Sequence, residues 1–137
     1  MPRLRNQIEI DAGADEVWSL VADLTATPEW IPGIVEARVE GDNRICRTAD
    51  GQEIHERVTV SDAERRLTYE QSRVPLPIEG SRGTIHVAGN GTGSRVEWEA
   101  EFEAPDEVAA MVDGYYKQTL ESLRERVRSS GARPPSA

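Results

Sequence analysis

Cysteine is all but missing from this sequence: Cys46 is the only one in 137 residues. That excludes an internal disulfide, leaves a cysteine-rich zinc site without ligands and fits a reducing compartment. Histidine is scarce too, with His55 and His86 alone, and neither a metal nor a cofactor is expected. No apolar run approaches the roughly 20 residues of a membrane-crossing helix. Met1 to Gln7 turns polar after one leucine and lacks the apolar core of a secretion signal, so a cytoplasmic protein without membrane insertion is expected. Basic residues are in the minority, 16 against 25 acidic, for a net charge of -9. Such a field repels phosphate backbones and anionic lipid surfaces, so nucleic acid is not an expected partner. Asn90-Gly91-Thr92 matches the glycosylation acceptor pattern, but without a secretory route it reads as a turn.

What is present is the composition of a soluble globular chain, 37% hydrophobic and 30% charged. Its length suits one domain, which buries roughly two-thirds of the surface exposed by the unfolded chain. Residues 1–128 are expected to form that domain. The small, polar, proline-bearing stretch 129–137 is expected to be a disordered tail.

Ile8 and Ile10 alternate with polar neighbours, predicting a strand from about Arg3 to Ile10. Val17, Leu20, Val21 and Leu24 then recur at helical spacing, with Asp15 and Glu16 at the positive end of the helix. Thr25 to Pro28 breaks that pattern, and a short second helix or turn is expected around Trp30, between Pro28 and Pro32. From Val35 to Phe102 the period becomes two. Val35, Ala37 and Val39 alternate with charged residues, and Val96, Trp98, Ala100 and Phe102 alternate with Glu97, Glu99 and Glu101. The glutamates read as a solvated face. Leu67 and Tyr69 open a further strand, Arg73 to Pro77 interrupts it, and Gly83 to Val87 resumes. Gly89 to Gly93 leads into a strand, unlike a phosphate-binding loop, and is a hairpin turn.

Ala49-Asp50-Gly51 fits a three-residue hairpin loop joining a strand near Arg44 to Thr48 with one near Gln52 to Ser61. In that loop type the numbers of opposed residues sum to about 100, which sets Cys46 opposite Ile54 and Arg44 opposite Glu56. Ile54, Val58 and Val60 mark that face as the inner one. After Pro105, the residues Val108, Met111, Val112, Tyr115, Thr119, Leu120, Leu123 and Val127 form one helical stripe reaching about Arg128. The helices have one large apolar surface on which to bury their stripes, the inner face of an antiparallel sheet. The fold class is α+β.

Opposite charges on an otherwise apolar face make Arg44 and Glu56 the leading candidates for chemistry. One reading is a polar anchor: a guanidinium binds a carboxylate, phenolate or carbonyl, and a carboxylate in apolar surroundings can act as acid or base. The other is an ion pair that satisfies itself in the wall. Tyr69, Tyr115 and Thr119 offer hydroxyls, and Trp30, Trp98, Phe102 and Met111 offer apolar surface, although tyrosines, aromatics and methionines at core spacing more often serve plain packing. Trp18 reads as core. Cys46 reads as a small buried hydrophobe, because His55 and His86 fall on the outer face and no inward histidine could activate its thiol.

The chain resembles the START-like helix-grip (SRPBCC) superfamily, whose branches include pollen allergens, lipid-transfer proteins, polyketide cyclases/dehydrases and plant abscisic-acid receptors. The bacterial polyketide cyclase-like branch is the nearest. The resemblance rests on Ala14-Asp15-Glu16-Val17-Trp18 with Trp30-Ile31-Pro32, Gly51 leading to Glu56-Arg57-Val58, Leu67-Thr68-Tyr69, Leu76-Pro77, and Val96-Glu97-Trp98 with Phe102. It implies a curved seven-stranded antiparallel sheet wrapped around a long C-terminal helix, two short helices after the first strand, and a cavity between sheet and helix. Trp30 and the loop with Pro75, Leu76 and Pro77 would lie near its mouth. Three functions follow as expectations. In the first, a monomer or homodimer binds a small apolar or aromatic, lipid- or polyketide-like molecule through Trp30, Arg44, Cys46, Glu56, Tyr69, Trp98, Met111, Tyr115, Thr119 and the proline loop. In the second, a cyclase, aromatase or dehydratase uses Glu56, Arg44 and Tyr69 as proton-transfer and orienting groups. The third is an interaction protein with a closed core.

Overall fold

The computed structural model describes residues 3–91 and 93–131. Strand β1 (Arg3–Ile10) leads into helix α1 (Ala14–Ala22) and a 3-10 helix (Leu24–Glu29). Six more strands follow: β2 (Ile34–Glu40), β3 (Asn43–Thr48), β4 (Glu53–Ser61), β5 (Arg66–Arg73), β6 (Glu79–Gly89) and β7 (Ser94–Glu103). Helix α2 (Asp106–Gly131) ends the described chain. The seven strands form one antiparallel sheet in the order β1-β7-β6-β5-β4-β3-β2. Each hairpin neighbour is a sequence neighbour, and only β1 joins the sheet from a distance, beside β7.

The β3–β4 hairpin shows how local chemistry sets the site. Gly51 takes φ +86°, which costs a glycine little, and Thr48 accepts from Gly51 N–H and donates to the Gln52 carbonyl. The loop holds the register with Arg44 opposite Glu56 and Cys46 opposite Ile54. These four side chains and Val58 face inward, all buried except the half-buried Ile54; Val60 is at the open end of β4, beyond the reach of β3, and is 36% exposed. The expected inner position of Val60 is therefore not a buried one.

Three expectations about boundaries change. The short second helix starts at Leu24 and contains Pro28 rather than lying between the prolines, because the Asp23 carboxylate accepts from Thr25 N–H and starts the turn there. β6 begins at Glu79, not Gly83, and a bulge between Glu79 and Arg82 absorbs the mismatch with β7. α2 runs through Gly131, past the expected end near Arg128; the remainder of the expected tail, 132–137, lies outside the described residues.

The face that α2 turns to the sheet keeps most of the expected stripe but is turned a little, away from Met111 and toward Tyr116. Its buried positions are Val112, Tyr116, Thr119, Leu120, Leu123 and Val127, while Met111 is 54% exposed. Residues 108, 111, 112 and 115 span more than the width of one apolar face, so the stripe alone did not define its centre. One core cluster unites α1, the 3-10 segment, α2 and the inner face of the sheet, with Val17, Leu67, Val96, Phe102 and Leu123 almost wholly enclosed.

Candidate functional site

Between α2, the 3-10 helix and strands β3 to β7 lies a cavity of about 70 Å³. Trp30, Ile34, Leu67, Ile85 and Trp98 supply most of its apolar wall, and two polar clusters break through that wall.

The first cluster surrounds Glu56. Arg44 donates from Nε and Nη2 to the same carboxylate oxygen, Oε2, at 2.9 and 2.6 Å, and from Nη1 to Thr27 Oγ1 at 3.1 Å. The other oxygen, Oε1, accepts from Gln71 Nε2 at 2.8 Å, and Ser81 Oγ in turn donates to Gln71 Oε1 at 2.6 Å. Both charged side chains are almost fully buried, at 6% and 8% exposure. Ions taken out of water need this degree of hydrogen bonding to be tolerated. The pair is nevertheless not saturated. Among the described residues, three of the five guanidinium hydrogens are committed, which leaves two, and Glu56 Oε1 has a free lone pair.

Aromatic rings form the second cluster. Tyr69 Oη accepts from Trp98 Nε1 at 2.9 Å and lies 3.2 Å from Tyr116 Oη. Trp98 stacks on Tyr116 with centroids 4.1 Å apart and meets Tyr69 edge-on. The Tyr69 ring fits because its partner across β6 is Gly83. A Cβ there would sit 2.6 Å from Tyr69 Cζ and 2.8 Å from the Glu99 carbonyl oxygen.

Of the residues singled out from the sequence, Trp30, Arg44, Cys46, Glu56, Tyr69, Trp98 and Tyr115 line the cavity. Others do not. Met111 points away from it on the exposed side of α2, for the reason of helical phase given above. Thr119 is fully buried but donates to the Tyr115 carbonyl within the helix, so its hydroxyl is spent locally. Pro75, Leu76 and Pro77 are exposed and sit off the cavity wall, because the chain between β5 and β6 swings outward into solvent. Phe102 is core, and Trp18 Nε1 is taken by Asp62. His55 and His86 pair with Glu53 and Glu97 away from the cavity.

Sequence reasoning missed Thr27, Gln71, Ser81 and Tyr116. Gln71 is two residues beyond Tyr69 on the same face and was accessible to strand alternation. Tyr116 was accessible to a stricter count along the 112–116–120–123–127 spacing. Thr27 and Ser81 had no local signal, since their placement depends on the 3-10 helix and on the β6 bulge.

Burial moves the titration of this wall. The Cys46 thiol is pushed up to about 11 by desolvation, only partly offset by Arg44, which leaves it protonated and unreactive at neutral pH. Desolvation likewise pushes Tyr115 up to about 12 and raises Tyr116 and, most of all, Tyr69. A phenol whose folded pKa exceeds its unfolded value of about 10 adds stability that is complete below pH 10 and is lost as pH rises through the folded pKa. The denaturant midpoint is therefore expected to be flat between pH 8 and 9.5 and to fall steeply above about pH 10, with tyrosinate absorbance rising in the same step as unfolding. A gradual tyrosinate titration near pH 10 with the fold intact would contradict the burial of these hydroxyls.

An open antiparallel sheet gripping a long C-terminal helix over an internal cavity defines a helix-grip protein. A family model described as polyketide cyclase / dehydrase and lipid transport matches residues 1–128, and the chain belongs to that family. The structure is similar to that of an uncharacterised protein from Bacillus thuringiensis, with 30% identity, 92% of this chain and 98% of the other covered, and a TM-score of 0.84. It is also similar to the protein XoxI from Bacillus cereus, at 29% identity, coverage of 96% and 99%, and a TM-score of 0.86. The di-domain ARO/CYC BexL of the BE-7585A biosynthetic pathway shares the fold at 20% identity, with all of this chain and 48% of BexL covered and a TM-score of 0.76. None of the curated proteins matches the chain. No described helix is long and apolar enough to cross a membrane. Family membership points to ligand binding or cyclase-type activity.

Proposed function

We propose that the chain is a binding protein for a small, mainly apolar molecule held between sheet and α2, with Arg44 and Glu56 orienting the polar end of that molecule. The ligand-binding unit is residues 1–128. The observation that supports this reading is a buried ion pair with two free N–H groups and one free lone pair on an otherwise apolar cavity wall. Ligand sites commonly combine apolar enclosure with a few convergent polar groups. Trp30, Cys46, Tyr69, Trp98 and Tyr115 supply the remaining surface.

The volume bears on the size of the ligand. Pockets for drug-sized molecules hold roughly 300–1,000 Å³, whereas this cavity holds about 70 Å³. A compact ligand enters with little change, and a larger one requires the surrounding wall to move outward. The small volume also favours one rival, a closed core whose outer surface carries the function. Thermal shift against a library of apolar and aromatic compounds, together with native mass spectrometry of the purified chain, separates the two. Retained mass, or stabilisation that grows with the logarithm of ligand concentration, is expected, since a ligand at one hundred times its Kd adds about 2.7 kcal/mol. No retained mass and no shift with any compound would favour the closed core.

A further inference from the structure

Trp98, Tyr69 and Tyr116 carry three polar hydrogens between them but make only two hydrogen bonds with one another. An indole N–H can only donate, so in the 2.9 Å contact Tyr69 Oη is the acceptor. In the 3.2 Å contact between the phenols either oxygen can be the donor. If Tyr69 donates, the Tyr116 hydrogen has no partner. If Tyr116 donates, both lone pairs of Tyr69 are occupied and its own hydrogen has no partner. Either way one phenolic O–H is left over, and no further hydrogen bond from these hydroxyls exists among the described residues. Both side chains line the cavity and are buried, at 3% and 7% exposure, so an acceptor for that hydrogen has to sit inside. An unpaired buried donor costs about 1–3 kcal/mol.

We propose that Tyr69 and Tyr116 act as a single hydrogen-bond donor that selects cavity ligands bearing an acceptor oxygen, of carbonyl or ether type, over hydrocarbons of the same shape. The inference rests on the cavity-binding reading above and specifies which small molecules it admits. The hydrogen is shared, so the selectivity belongs to the pair. Removing either hydroxyl still leaves one phenolic hydrogen facing the cavity: in Tyr69→Phe it is that of Tyr116, and in Tyr116→Phe it is that of Tyr69, whose oxygen still accepts from Trp98. Loss of both hydroxyls leaves the Trp98 N–H as the one remaining donor, so only removal of all three polar hydrogens empties the count. Both phenols carry their hydrogens at neutral pH, and burial extends that range upward.

The test compares cyclohexanone with methylenecyclohexane, which differ by C=O against C=CH2 in nearly the same shape, by titration into the full chain followed through its indole N–H resonances. The ketone is expected to bind roughly 3- to 10-fold more tightly, the range of one net hydrogen bond. Tyr69→Phe and Tyr116→Phe are each expected to keep that preference, and a variant without any of the three polar hydrogens to lose it to within about twofold. Tyr69→Phe deprives Trp98 of its acceptor and leaves that N–H as a donor, so the depleted variant is Trp98→Phe/Tyr69→Phe/Tyr116→Phe, which leaves no orphaned donor, and its thermal midpoint is read beside its binding to show that it folds. Equal binding of the two probes to the wild-type chain, with a retained water serving the hydrogen, overturns the proposal. So does a preference abolished completely by one single substitution, which would mean a fixed donor. If neither probe binds up to its solubility, the cavity-binding reading fails and this inference fails with it.

Discussion

Glu56→Ala is expected to destabilise the protein by about 3–5 kcal/mol, the range for breaking a buried ion pair from one side. The loss exceeds that of the ion pair itself. Without Glu56 the Arg44 guanidinium stays buried with Thr27 Oγ1 as its one partner, and Gln71 loses the carboxylate that its amide donates to. The double variant Arg44→Met/Glu56→Leu behaves differently. It removes both charges and fills the wall with apolar volume, and such replacements are often neutral or stabilising by about 1–4 kcal/mol. Urea unfolding of the two variants checks this: the single variant's midpoint should drop sharply, and that of the double variant should match or exceed wild type. A cost below about 1 kcal/mol for Glu56→Ala would mean that water reaches Arg44 and that the pair is not buried in solution. If the contrast holds, stability does not require the pair, and its place in the cavity wall belongs to recognition.

Gly83→Ala carries the second large effect, about 3 kcal/mol, the upper end of the range for overpacking. A methyl group at this position meets the Tyr69 hydroxyl and Cζ on one side and the Glu99 carbonyl on the other. The carbonyl belongs to β7 and cannot retreat without breaking the β6–β7 ladder, so the tyrosine has to move. Its displacement breaks the Trp98 N–H bond and parts the phenols. The indole N–H resonance of Trp98 is therefore expected to shift along with the drop in thermal midpoint. A stable Gly83→Ala protein with an unmoved Trp98 signal would show that the ring does not lie over this glycine.

These two substitutions mark how differently the two halves of the site were written in the sequence. The Arg44–Glu56 pairing was legible because Ala49-Asp50-Gly51 sets a loop length, loop length sets register, and period two then sets the face. Every step is local. The aromatic cluster brings together β5, β7 and α2, elements tens of residues apart, and no short-range pattern states which rings meet. Tyr69 and Trp98 were identified as inward residues, but their hydrogen bond and the part played by Tyr116 were not.

Helical phase accounts for the misplaced Met111. An apolar stripe is wider than the contact it makes, so Met111 and Tyr116, on its opposite edges, cannot both be buried, and the sheet beneath chooses between them. The sheet favours Tyr116, since it offers Trp98 to stack upon. The proline loop was placed by resemblance at the mouth; in the structure the chain after Arg73 turns outward, and Pro75, Leu76 and Pro77 stay in solvent.

By itself the sequence determined the order of the elements, the faces of the strands, the hairpin register and, through its motifs, the helix-grip architecture, because each follows from spacings of a few residues. Tertiary structure alone decided the rotation of α2, the arrival of Thr27 and Ser81 beside the ion pair, and the size of the cavity. Those depend on which surfaces pack most closely across long stretches of chain, and close packing at that range leaves no periodic trace in the sequence.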